Sequence, residues 1–410
     1  MFESLKKAID EIFGSVIRPI KEWVLRQSWG VRVVCLIIIA AAAFAWWKPQ
    51  TVGGFYQQGT FYWRSWRSGS DKVPLSGPAQ RSLALAIERV APSVEADLDT
   101  RGSATSPLTP WSASQLVLAL RSAGRDIADK PGYVAFVDHG RFAPDCFCWT
   151  ELEEQPKAEV VGYVGAWVMA AFADIGQPLT TTDLDYLLKQ QNAGGWWPMF
   201  PESGAAAYAS SYTTAWMTLG LHKQRVAGLI PAERRAAVDR AIFRASIWLM
   251  RSRRGARWTA HQGAPNSDTP EALSGFVLHV LHQVGAADLA DLDRAWLDSL
   301  PQHDLEPTSL EKHYMVLPYG RRSQIDHIVE IRLPWILLGT ADAYASGTAA
   351  QKARALSWIE KVLRDPSVRS ADTQGFDWVR AELLLGLTET SKRADCPACQ
   401  TNAAGARRDQ

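Results

Sequence analysis

The sequence predicts an all-α protein: an α/α toroid (barrel) of about five to six helix pairs, preceded by a single transmembrane helix. Three observations carry this expectation. One uninterrupted apolar run lies near the N-terminus, and two interleaved series of aromatic-anchored helical segments recur through the rest of the 410 residues. The chain is 47% hydrophobic with a formal net charge of +1, enough for one large domain or two ordinary ones and without the basic excess that nucleic-acid binding would need. Eighteen tryptophans is a high count, and a large side chain that needs a partner for its N–H is most often a structural anchor.

The elements follow in chain order. Residues 1–28 read as a cytoplasmic amphipathic segment, with Phe2, Leu5, Ile9, Ile12, Val16 and Ile20 spaced by threes and fours. It could lie on the membrane surface or bind a partner. Residues 29–47, ending in VVCLIIIAAAAFAWW, have the length of one bilayer crossing, with Arg32 and the Trp46–Trp47 pair at its edges. A cleaved signal peptide is the alternative. Lys6, Lys7, Arg18, Lys21 and Arg26 precede the span and few basic residues follow closely, so the positive-inside rule places the N-terminus in the cytoplasm and the main domain outside. Residues 48–78 read as a linker, 79–390 as the toroid domain and 391–410 as a tail with a Cys-x-x-Cys pair.

The repeat sets the architecture. Tyr186-Leu, Trp248-Leu, Trp296-Leu and Trp358-Ile open one series at intervals of 62, 48 and 62 residues. Trp167, Trp216, Phe276 and Trp335 anchor the other at intervals of 49, 60 and 59, with Trp378 a fifth member and Trp111 a first. Helices of the second series are almost wholly apolar and belong in the interior. Those of the first carry charges on one side. Such alternation predicts two concentric layers, with an open solenoid as the rival. No polar capping repeat stands at either end of the series, which favours the ring.

YLLKQQNAGGW (Tyr186–Trp196) and WLMRSRRGARW (Trp248–Trp258) share an ending. The first resembles the Q-x-x-x-G-x-W repeat of the terpenoid cyclase and protein prenyltransferase superfamily, with Gln190, Gly194 and Trp196 in its positions. Ser252 and Ala256 replace the Gln and Gly before Trp258. The resemblance covers roughly residues 76–390. It implies a structural role, the Gln satisfying a helix end and the Trp stacking there. Class II cyclases of that superfamily use an Asp-x-Asp-Asp acid motif. Asp97-Leu-Asp99, Asp183-Leu-Asp185 and Asp291-Leu-Asp293 lack its third acid and read as structural, the latter two as helix starts. The zinc set of prenyltransferase β-subunits has no counterpart here.

Polar residues concentrate in the loops that lead into the apolar helices, all opening at one end of the barrel. His261, Asp268, His313, Tyr319, Asp326 and His327 are candidates for acid–base work. Tyr212, Arg321 and Arg322 are candidates for binding an anionic or polar ligand. Two classes of function stay open. One is an envelope protein that binds or processes a glycan or polyprenyl-type (isoprenoid) ligand in the mouth of the barrel; as an enzyme it would be polysaccharide lyase- or hydrolase-like, or terpenoid-type. The other is a non-catalytic scaffold subunit of a bacterial cell-envelope complex. His279 and His282 share a helix face, but no acid at helical spacing completes a metal pair, so they read as core or cavity histidines.

No cofactor is expected, with one reservation. Cys146, Cys148, Cys396 and Cys399 could hold zinc, or could form disulfides on the oxidising side of the membrane. In a closed ring the first and last units are neighbours. The expectation is therefore a clasp of one or two bonds from Cys146/Cys148 to Cys396/Cys399, with a local Cys396–Cys399 bond as the alternative. The compact chain without a eukaryotic targeting signal points to a bacterial inner membrane protein, single-pass, with its main domain in the periplasm.

Overall fold

The computed structural model describes residues 71–99, 108–149, 161–199, 201, 209–262, 269–300, 310–319, 322–365, 368 and 377–399. The chain divides into two compact units, Met1–Ser68 and Gly69–Gln410, and every described residue belongs to the second. The amphipathic and transmembrane segments expected at 1–28 and 29–47 lie outside the described residues. Among those described, no helix is long and apolar enough to cross a membrane.

The described residues are mostly helical. In chain order the elements are α1 (Gly77–Asp99), α2 (Pro110–Ser122), α3 (Lys130–His139), α4 (Gly162–Ile175), α5 (Thr181–Gln190), β1 (Ala209–Ser210), α6 (Ser211–Val226), α7 (Ala232–Ser252), β2 (His261–Gln262), α8 (Glu271–Gln283), α9 (Ala290–Asp298), β3 (Leu310–Tyr319), β4 (Arg322–Ile331), α10 (Arg332–Ala343), α11 (Ala349–Arg364) and α12 (Asp377–Arg393). Local chemistry sets the boundaries. Thr109, Thr180 and Thr348 cap α2, α5 and α11 in reciprocal capping boxes with Ser112, Asp183 and Gln351. Gly176, in the left-handed region at φ 79°, ends α4.

The even-numbered helices are the apolar series of the sequence. Each packs on the next: α2 on α4, α4 on α6, α6 on α8, α8 on α10 and α10 on α12. Helix α12 packs in turn on α2. The packing is parallel and in register. Trp111 stacks on Trp378, Gln115 Nε2 donates to Glu382 Oε1 at 2.9 Å and Ser122 Oγ donates to Glu389 Oε1 at 2.7 Å, each pair 267 residues apart. Small residues let the backbones approach: a Cβ on Gly275 of α8 would collide with the Trp335 carbonyl of α10. The odd-numbered helices bury one side, as their charged faces require. In α5 that side is Asp183, Leu184 and Leu187.

One expectation fails. The polar stretch EKHYMVLPYGRRSQIDHIVEIR, taken as a loop, holds a hairpin of two ten-residue strands, β3 and β4, paired antiparallel from Leu310↔Ile331 to Tyr319↔Arg322. Its signal was the β-branched and aromatic run on both sides of Gly320-Arg321, a short turn sequence. Polar composition masked it.

Candidate functional site

The site expected from the sequence lies where chain segments enter the N-terminal ends of the even-numbered helices. Three tryptophans build that end. Trp149 Nε1 donates to Val137 O of α3, Trp197 Nε1 to Leu187 O of α5 and Trp258 Nε1 to Leu249 O of α7, at 2.9, 2.9 and 2.7 Å. These carbonyls belong to the last turn of each helix, where no intrahelical donor remains. The backbone N–H of Trp197 donates to Thr214 Oγ1 of α6, and that of Trp258 to Ser274 Oγ of α8. Trp197 and Trp258 thus each join the end of an odd-numbered helix to the start of the next even-numbered one.

The joint is made by residues one position later than Gln190, Gly194 and Trp196, which carry the sequence resemblance. Gln191 Nε2 donates to Gly195 O and to Ala241 O of α7, both at 2.9 Å. Gly195 sits at φ 103°, and a Cβ there would lie 2.5 Å from Arg244 O. Trp197 is 1% exposed, whereas Trp196 is half-buried and Gly194 is exposed. Trp258 keeps its expected role.

Deeper between the even-numbered helices the aromatic anchors meet. The Trp167 and Trp216 rings stack with centroids 3.5 Å apart, Trp216 and Phe276 stack at 4.3 Å, and Trp335 meets Phe276 edge-on at 4.9 Å. All four are at most 2% exposed. Tyr212, a predicted ligand residue, is buried among them, its hydroxyl accepting from Trp167 Nε1 at 3.3 Å. A carboxylate not singled out in the sequence lies beside this stack. Glu382 is 2% exposed and accepts from Trp335 Nε1 and Gln115 Nε2, both at 2.9 Å, tying α2, α10 and α12 together. A lone acid within the apolar run of α12 was its only sequence signal. Nearer the N-terminal ends of their helices, Trp111 and Trp378 are half-buried, and the buried Trp111 Nε1 has no hydrogen-bond partner among the described residues.

The acid–base candidates do not converge among the described residues. His261 is buried in β2, paired with Ser210 of β1. Asp268 and Arg321 lie outside the described residues. The hairpin register puts positions 313, 319, 322 and 326 on one face of the ribbon and position 327 on the other. Charged residues that are well placed at this end have structural partners. Arg141 bonds Asp138 and Asp183 at 2.9 and 2.7 Å. Glu271 is held by Arg257 at 2.9 Å and by Arg332. Burial pushes the Glu271 carboxyl up, but the two arginines outweigh it and hold it below its usual range.

The opposite end holds a buried ionic network. His279 Nδ1 meets Asp342 Oδ2 at 2.7 Å, Arg393 Nε bonds the other oxygen of Asp342, and Arg393 Nη1 bonds Glu389 Oε2 at 2.9 Å. His282 Nε2 meets Asp293 Oδ1 at 2.8 Å, and Ser346 donates to Asp293 Oδ2. Burial pushes His279 down. It also opposes charge on His282, yet Asp293 and Asp342 raise that group. Asp342 is lowered to about 2: burial alone would raise it, but Arg393 and His279 prevail. The acids that complete these histidine pairs come from other helices, which helical spacing within α8 could not show.

The cysteines correct two expectations. Cys146 is bonded to Cys148, and Cys396 to Cys399, so the pairing is local and the long clasp is absent. Neighbouring helices do bring the first and last units together, but sideways. Cys146 and Cys148 precede the N-terminal end of α4, while Cys396 follows the C-terminal end of α12, a 17-residue helix. A helix of that length separates its ends by about 25 Å. The tail instead docks on the start of the domain: Val73 pairs with Ala394, and Asp395 N donates to Val73 O. Zinc at these four cysteines is likewise overturned. Both pairs are oxidised, and among the described residues no group of three or more His, Cys, Asp or Glu is placed to hold a metal ion.

No protein-family model and no curated protein sequence matches the chain.

Proposed function

We propose that residues 79–390 form an α/α toroid serving as a non-catalytic scaffold of a bacterial cell-envelope complex, anchored by residues 29–47 with the domain on the periplasmic side. The observation that carries this reading is the filled interior. Trp167, Trp216, Phe276 and Trp335 stack where a barrel enzyme would keep its substrate cavity. The succession of contacts from α2 through α12 and back to α2 supports a closed ring. Tryptophan joints between outer and inner helices suit a rigid platform. Two disulfides favour an oxidising compartment.

A second reading, binding of a glycan or polyprenyl-type ligand at the mouth, rests on the half-buried Trp111–Trp378 stack. Flat aromatic faces suit a sugar ring or an apolar chain.

Complementation separates the readings. A deletion strain carrying full-length protein with His313→Ala, Asp326→Asn and His327→Ala is expected to regain wild-type envelope integrity. Failure of that variant, at wild-type abundance and thermal stability, would overturn the scaffold reading in favour of chemistry at the mouth. Failure of Trp111→Ala alone would favour ligand binding.

A further inference from the structure

The outward side of α7 concentrates positive charge that the rest of the fold does not use. Between residues 232 and 257 the chain carries eight arginines against two acids, in a protein whose total net charge is only +1. Some of these arginines have structural work. Arg234 pairs with Asp185, Arg257 holds Glu271, and Arg244 donates to the carbonyls of Asn192 and Ala193. Asp239, one of the two acids, is taken by Arg225 of α6. Arg240, Arg251 and Arg254 are exposed, and among the described residues no carboxylate pairs with them.

Their spacing matters. Arg240, Arg244, Ile247 and Arg251 fall at successive steps of four, three and four, which is one face of a helix. Phe243 and Trp248 flank that line, and both are half-buried, as is Ile247. The opposite face, with Val238, Ala241, Ile242, Ala245 and Leu249, is the one buried in the domain. Among the described elements α7 packs on α6 and, more lightly, on α5. On the stripe, Arg244 bends to the turn after α5, while Arg240 and Arg251 stay exposed.

We infer that this face docks on an anionic phospholipid bilayer. Two features select that partner. Guanidinium forks match lipid phosphates and carry their charge at the end of long apolar stems. Phenylalanine, isoleucine and tryptophan interleaved with them suit the headgroup–acyl boundary, where an amphipathic face lies in the plane of the surface. A soluble polyanion would engage the arginines but give the apolar residues nothing to contact.

The test is arginine footprinting of the full-length chain with phenylglyoxal, read by peptide mass spectrometry. The chain is prepared with nanodiscs of phosphatidylcholine alone or of phosphatidylcholine with phosphatidylglycerol. Arg240, Arg251 and Arg254 are expected to react about fivefold more slowly with the anionic discs, a change on the scale of one basic residue's attraction to such a surface. Arg364, exposed on α11, should react equally in both. Added salt should erase the difference, because the attraction is screened. Substituting Arg240→Gln, Arg251→Gln and Arg254→Gln together, all at exposed sites, should remove the protection that the anionic discs give Arg244, the remaining exposed arginine of the stripe. Equal rates in the two lipids, whether fast or slow, overturn the inference. Equal or greater protection by a soluble acidic polysaccharide with phosphatidylcholine discs assigns the face to that partner instead.

Discussion

The two ends of the even-numbered helices solve the same problem in different ways. At the C-terminal end, the charges of Asp342 of α10 and of Arg393 and Glu389 of α12 neutralise each other, and His279 of α8 bonds Asp342 beside them. At the N-terminal end the fasteners are neutral, with indole N–H groups closing onto the last carbonyls of α3, α5 and α7. A neutral joint tolerates changes of pH. A buried ionic one is pH-dependent, and it fails when one member is removed, because the remaining charge is stranded.

The largest expected effects come from breaking each kind of fastener. Trp197→Ala and Trp258→Ala should each destabilise the domain by about 3–5 kcal/mol in denaturant titration, as truncation of a fully buried aromatic does. Trp196→Ala, at a half-buried neighbour, should cost clearly less. An equal loss at Trp196 would restore the other motif register. At the opposite end, Asp342→Asn leaves Arg393 and His279 without their shared partner and should cost about 3 kcal/mol. Its effect should shrink when Arg393 is already replaced by Met, a coupling that a double-mutant cycle measures. Gly195→Ala, which forces a Cβ into a left-handed backbone position against the Arg244 carbonyl, should cost roughly 1–3 kcal/mol.

The smaller effects concern pH, and the C-terminal ends should dominate them. Burial first, then the charges of Lys223 and Arg225, lower His222 to about 4. A base with a depressed folded pKa is protonated more readily in the unfolded chain. Its contribution is therefore intact above the ordinary histidine range and is lost as pH falls toward about 4. His279 acts in the same direction. His282, raised by its carboxylate neighbours once burial is offset, acts in the opposite one: its contribution is full below the ordinary range and fades as pH rises through its folded pKa. Asp342 adds a further loss between its ordinary value near 3.8 and about 2. The three histidines together predict a net drop on the order of 2 kcal/mol between pH 6.5 and 4, and Asp342 continues it at lower pH. The drop should be visible as a falling thermal midpoint and blunted in His222→Gln. A flat profile would mean that the C-terminal ends are not held as described.

Sequence periodicity carried much of the fold. Trp167, Trp216, Phe276 and Trp335 were legible as one series because each lies within the first two turns of a mostly apolar helix, while Trp111 and Trp378 stand at the very start of theirs. The register of the repeat motif was not, because Gln190-Gln191, Gly194-Gly195 and Trp196-Trp197 double every letter of it. Only hydrogen bonds distinguish the copies. The ionic network was hidden because its members lie 51 and 63 residues apart, on helices that spacing alone does not orient. Disulfide pairing went wrong because adjacency of helices says nothing about which of their ends carries the cysteines. Of the candidate site, Tyr212 and His261 could be followed into the core, and Glu382 entered only through its three-helix contacts.

The central claim is that the space between the inner helices is filled rather than kept for a substrate. Xenon-pressurised diffraction tests it directly, because xenon enters dry apolar cavities. The account predicts no xenon among Trp167, Trp216, Phe276 and Trp335 in the wild-type protein, and a xenon site there in Phe276→Ala. An occupied site among those four rings in the wild-type protein would contradict the filled interior and favour the ligand-binding reading.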